Sequence, residues 1–145
     1  MIKLNSFDTI CHEHLEYYSL TSLNYLMQSH DLKIFKVKKN KSNGGSIRCF
    51  ITHDKTTTYD KKINLIYFNK LLKNEKKLKI QNTKIYEEFF SNVSKIKIKL
   101  NKIIKEIKKR NESIYILGAS TKGNTILQFL NIDNKIMPYA IERNR

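Results

Sequence analysis

The sequence has no tryptophan, one proline, four glycines, two cysteines and only 13 acidic residues against 28 lysines and arginines. Each shortage excludes something. Scarce proline and glycine leave few helix breakers and few natural sites for left-handed backbone, so the chain should be helix-rich. Cys11 and Cys49 are too few for a disulfide framework and read as reduced thiols. No apolar run approaches the length that spans a bilayer. The polar start Met1-Ile2-Lys3-Leu4-Asn5 lacks the features of a secretory signal, so a cytoplasmic protein with no membrane partner is expected. At 145 residues and 40% apolar composition, the chain suits one folded domain, or one domain and part of another.

The formal charge of +15 raises the possibility of a nucleic-acid partner. The arginines, however, are Arg48, Arg110, Arg143 and Arg145, whereas base readout and bidentate phosphate contacts favour arginine over lysine. Lysines run from Lys3 to Lys135 among asparagines and isoleucines, a pattern that reads as solvated faces. A non-catalytic basic module contacting nucleic acid is the alternative to an enzyme.

Chemistry concentrates in Phe7-Asp8-Thr9-Ile10-Cys11-His12-Glu13-His14-Leu15-Glu16-Tyr17-Tyr18-Ser19. Imidazole titrates near neutrality, so His12 and His14 around Glu13 suit proton transfer. Cys11, His12 and His14 lack the CxxC or HExxH spacing that favours zinc, and no metal is expected. Histidines that are merely exposed or hydrogen-bonded are the plain alternative.

Periodicity gives a coarse layout. Ser19 can cap a short helix reaching His30, with Leu20, Leu23, Leu26 and Met27 on one face. Strands are expected over Leu32–Asn40 and Ser46–His53, around the turn residues Asn43-Gly44-Gly45. Cys49 alternates with Ile47 and Ile51 and reads as core filling. A helix is expected from about Lys62 to Lys77. A longer one runs from Thr83 to Arg110, where Ile85, Phe89, Val93, Ile96, Leu100, Ile103 and Ile107 trace one buried stripe and Asn111 is the stop.

The final stretch changes character. Ser113–Leu117 reads as a strand, Gly118-Ala119-Ser120-Thr121-Lys122-Gly123-Asn124 as a small-residue loop, Thr125–Leu130 as a helix and Ile136–Ile141 as a second strand, at an edge because of Pro138. Such a strand-loop-helix-strand unit opens Rossmann-like domains. The loop is neither GxGxxG nor a P-loop. It is either an anion or nucleotide site at a helix N-terminus or a simple tight turn.

Taken in order, Phe7 to Ser19, Asn43-Gly44-Gly45-Ser46-Ile47-Arg48 and Ile116 to Thr125 resemble the S-adenosylmethionine-dependent sugar C-methyltransferases. That family methylates a carbon beside the keto group of a nucleotide-linked deoxysugar. The resemblance implies an α/β fold in three parts. Residues 1–56, a helix and an antiparallel hairpin, would end a class I methyltransferase sheet; 57–112 would be a helical connector; 113–145 would start a truncated Rossmann-like C-terminal domain. It also implies His14 as the base, Glu13 as a supporting carboxylate, and Cys11 where many members carry tyrosine. Tyr18 is a candidate substitute for that tyrosine, and Gly118, Lys122, Gly123 and Asn124 would shape the nucleotide-sugar cleft. S-adenosylmethionine is the implied cofactor, but the glycine-rich turn and acidic ribose ligand of its site do not precede Phe7. The chain is therefore expected to be inactive alone, as a fragment or as a subunit docking on a separately encoded methyltransferase half.

Overall fold

The computed structural model describes residues 1–41, 45–59 and 65–142. Its elements are α1 (Leu20–Gln28), β1 (Leu32–Asn40), β2 (Ser46–His53), α2 (Leu65–Lys77), α3 (Thr83–Lys109), β3 (Ile116–Leu117), α4 (Thr121–Leu130) and β4 (Ala140–Ile141), preceded by 3-10 turns at Ile2–Leu4 and Phe7–Thr9. Packing divides this mixed α/β chain into two units, Glu16–Ile85 and Met1–Leu15 together with the chain from Tyr86 onward. Those cuts differ from the sequence boundaries at 56 and 112. Among the described residues no helix is long and apolar enough to cross a membrane.

In the Glu16–Ile85 unit, Ser19 caps α1 as expected. Its hydroxyl accepts from the Ser22 amide at 3.0 Å, while the Ser22 hydroxyl accepts from the Ser19 amide at 3.0 Å. This reciprocal box satisfies two otherwise unpaired donors at the helix start. A third device comes from far along the chain. The Glu75 carboxylate on α2 accepts from the amides of Leu20 and Thr21, both at 2.8 Å, and from the Thr21 hydroxyl at 2.7 Å. A negative group at the positive end of α1 ties the two helices together.

Strands β1 and β2 pair antiparallel, with Val37 opposite Cys49. Ile34 and Val37 are both buried although they are three residues apart, which a regular strand with its period of two would forbid. A register shift between Ile34 and Lys36 turns both toward one face. They join Leu20 and Leu71 in the core, with Cys49 packed against it as filling. Of the expected turn Asn43-Gly44-Gly45, the first two residues lie outside the described residues, and Gly45 has a φ of 113°, which suits a turn. The start of the second helix at Lys62 likewise lies outside them.

In the other unit α3 has the expected length, but its stripe is not continuously buried. Val93 is buried, whereas Ile103 is 42% exposed. The helix stops where expected. Asn111 takes a left-handed φ of 56°, and the amides of Asn111 and Glu112 reach back to the carbonyls of Lys108 and Ile107. Asn131 ends α4 in the same way, with φ 57° and bonds from Asn131 and Ile132 to Gln128 and Leu127. In a chain poor in glycine, asparagine fills the left-handed position of both Schellman-type caps.

Strands β3 and β4 are parallel neighbours linked through α4. Each has two residues, shorter than expected. The Ile136 and Met137 amides are taken by the Asp133 carbonyl, and Pro138 has no amide to offer a ladder. Helix α4 begins earlier than expected, at Thr121, because Ser120 caps it by accepting from the Gly123 amide at 3.2 Å. Lys122, Gly123 and Asn124 thus belong to its first turn, and the loop shrinks to Gly118-Ala119-Ser120.

Candidate active site

The histidine-rich segment is held from its own start. Thr9 is buried, and its hydroxyl donates to the Ser6 carbonyl at 3.1 Å. The Thr9 carbonyl accepts from the Cys11 amide at 3.1 Å and lies 2.8 Å from His14 Nδ1. A carbonyl only accepts, so Nδ1 carries a hydrogen, and in the neutral form of the ring the basic lone pair is then on Nε2. The His14 amide closes a turn onto the Cys11 carbonyl at 3.0 Å. Cys11 is a half-buried free thiol. Among the described residues no three or more of His, Cys, Asp and Glu come together as a metal site.

The same segment meets α4 at two points. Phe7 packs on Phe129 with ring centroids 4.9 Å apart, and the Lys97 ammonium sits 4.9 Å from the Phe129 centroid. Farther along, the Thr121 hydroxyl donates to Glu13 Oε1 at 3.3 Å. Glu13, expected as a catalytic residue, is therefore beside the turn expected to bind substrate. Gly118 has φ 95°, a backbone state that disfavours any side chain, and its amide donates to the Ile141 carbonyl at 2.8 Å. Gly123 is held by the hydrogen bond its amide donates to the Ser120 hydroxyl, whereas a Cβ there would meet only ordinary contact. Lys122 is half-buried and Asn124 exposed, both in the first turn of α4.

Tyr18, expected as a substrate contact, lies in a different packing unit of the chain. It belongs to the Glu16–Ile85 unit, where its hydroxyl donates to the Glu16 carboxylate. That hydrogen bond, followed by slight desolvation and the Glu16 charge, pushes the Tyr18 pKa up. Two participants escaped the sequence reading, Thr9 and Thr121. No local signal marks either, since one acts through its carbonyl and the other through a partner far away in sequence.

The architecture is that of a mixed α/β protein in which a His-Glu segment is folded onto the helix of a parallel strand-helix-strand unit. Residues 41–145 match the C-methyltransferase C-terminal domain family, and the chain belongs to that family. It is also 29% identical over 127 residues to the C-methyltransferase NovU of Streptomyces niveus. The match takes in 88% of this chain and 29% of NovU, so the chain spans less than a third of that relative's length. The C-methyltransferase resemblance read from the three ordered motifs is thereby borne out.

Proposed function

We propose that the chain is the substrate side of a sugar C-methyltransferase, in which His14 removes a proton from the carbon beside the keto group of a nucleotide-linked deoxysugar. The observation that carries this reading is the 2.8 Å contact of His14 Nδ1 with the Thr9 carbonyl, which selects the tautomer whose Nε2 accepts a proton. In this step Nε2 takes the proton, the C–H electron pair forms the enolate carbon–carbon double bond, and the carbonyl pair moves onto oxygen. The Glu13 carboxylate supports the imidazolium so formed. Lys122, with Gly123 and Asn124 in the first turn of α4 and Gly118 in the loop before it, holds the diphosphate of the substrate. Cys11 belongs to the base segment, and Tyr18 remains a candidate substrate contact. In domain terms, 1–56 would close a class I methyltransferase sheet, 57–112 connect, and 113–145 open a Rossmann-like domain.

The family suggests S-adenosylmethionine as methyl donor. The residues here do not fit it. That donor is a net cation, its sulfonium and ammonium outweighing one carboxylate, whereas the turn at Gly118 is followed by Lys122, whose charge favours a net anion. Donor binding belongs to another segment or another chain.

A second reading, docking on a separately encoded methyltransferase half, is favoured by one observation. Leu117 is 86% exposed and Ile141 52% in a parallel pair, although parallel strands are ordinarily covered on both faces.

Deuterium uptake beside the keto group of nucleotide-linked 4-keto deoxysugars in heavy water tests the base directly, because proton removal is separable from methylation. The chain is joined to an upstream methyltransferase segment, and methyl transfer is followed in parallel. Both activities should disappear in His14→Ala. Exchange that continues in this variant would remove His14 from the reaction.

A further inference from the structure

Helix α4 works as a ruler for the base segment. With the helical rise of 1.5 Å per residue, about 12 Å separate Thr121 from Phe129 along α4. Phe7 packs at the Phe129 end and Glu13 is bonded at the Thr121 end, so the segment runs antiparallel to the helix. An extended stretch from Phe7 to Glu13 would reach roughly 20 Å. Two turns, closed by the Ile10 and Cys11 amides on the Phe7 and Thr9 carbonyls, take up the excess. The aromatic contact fixes one end. At the other, Glu13 is exposed, and the Thr121 hydroxyl is what ties its carboxylate to α4.

We infer that Thr121 is a positioning residue, which acts through Glu13 by holding its carboxylate in place to support proton removal by His14. The inference rests on the proton-transfer reading above and deepens it. Thr121 touches neither substrate nor reacting atom in this scheme. Its location in the first turn of α4 has a mechanistic consequence, since the helix start that carries Lys122 also holds the Glu13 carboxylate. Binding the diphosphate and orienting the carboxylate are then tasks of one helical turn.

The test uses the full chain with its methyltransferase segment and reads kcat and KM for deuterium exchange in Thr121→Val, Thr121→Ser, Glu13→Gln and the Thr121→Val/Glu13→Gln pair. Loss of the hydroxyl should lower kcat on the order of tenfold and leave KM within about twofold, as expected when a supporting group is misplaced rather than substrate binding lost. Thr121→Ser should restore kcat, and Thr121→Val should add nothing once Glu13 is already Gln. An unchanged kcat in Thr121→Val, an effect confined to KM, failure of serine to rescue, or additivity with Glu13→Gln would each overturn the inference. Retained exchange in His14→Ala would instead sink the underlying reading. The contact itself is checked without activity by nuclear Overhauser effects between the Thr121 methyl and the Glu13 side chain in the 145-residue chain; their absence overturns the positioning role.

Discussion

The two packing units differ in how completely they cover their apolar groups. In Glu16–Ile85, Leu20, Ile34, Val37 and Leu71 form one buried cluster drawn from α1, β1 and α2. In the other unit the buried positions Thr9, Val93 and Leu130 are scattered, while Leu117, Ile98 and Phe90 are 86%, 70% and 66% exposed. Most of the residues proposed for chemistry belong to the less covered unit. Its backbone is instead held by local devices: the Phe7–Phe129 contact, the Ser120 side-chain cap, the left-handed backbone cap at Asn131 and the Thr121–Glu13 bond. Hydrophobic burial scaffolds one unit and polar termini organise the other.

Leu20→Ala is the sharpest way to break that contrast. Leu20 is 1% exposed, and truncating so buried a leucine costs about 3 kcal/mol. Denaturant titration should show the loss, and amide exchange should locate it in 16–85. Equal deprotection of both units would mean that the cores are not separate. Glu75→Ala should follow at about 2 kcal/mol, since it removes three hydrogen bonds to a charged acceptor and leaves two helix-start amides of α1 without it. Exchange at the Leu20 and Thr21 amides reports it; protection equal to that of the native chain would refute the capping role.

The corresponding change in the less covered unit is smaller. Gly118→Ala forces a side chain into φ 95° and should cost about 1 kcal/mol, although open space surrounds the new Cβ. Because the Gly118 amide joins β3 to β4, the loss should appear as faster exchange there and at the Ile116 amide. A neutral substitution would show that this turn relaxes freely.

What could be read from the sequence was local. The Ser19 cap, the extent of α3 and the Asn111 stop follow from short-range patterns, and each appears in the structure. The early start of α4 was hidden because Gly123 in its first turn mimics a loop, while the decisive signal was Ser120 three residues before it. The shift that buries both Ile34 and Val37 has no signature in alternating polarity. Glu75 on α1 and Thr121 on Glu13 are contacts across long stretches of chain, which periodicity does not encode. Of the candidate site, the chemical residue types were legible; the hydrogen bonds that orient them were not.

Each unit holds one cysteine, which allows a last and smallest test of the contrast. Burial against the core, and secondarily the Glu75 charge, push the Cys49 thiol pKa up. Its neutral form is therefore favoured by folding. The unfolded thiol ionises near pH 8.5, so the stability that Cys49 contributes is fully present below that pH and is lost as pH rises through the higher folded value. Cys49→Ser should flatten that alkaline decline slightly. In the native chain iodoacetamide should modify Cys11 before Cys49 at pH 8, with Cys49 catching up only as the solution becomes more alkaline or the unit unfolds. Mass spectrometry of the two tryptic peptides distinguishes them. Equal rates at pH 8 would mean that the packed cluster around Leu20 admits reagent as readily as the thinly covered segment before His14, and the difference in coverage between the units would lose its chemical consequence.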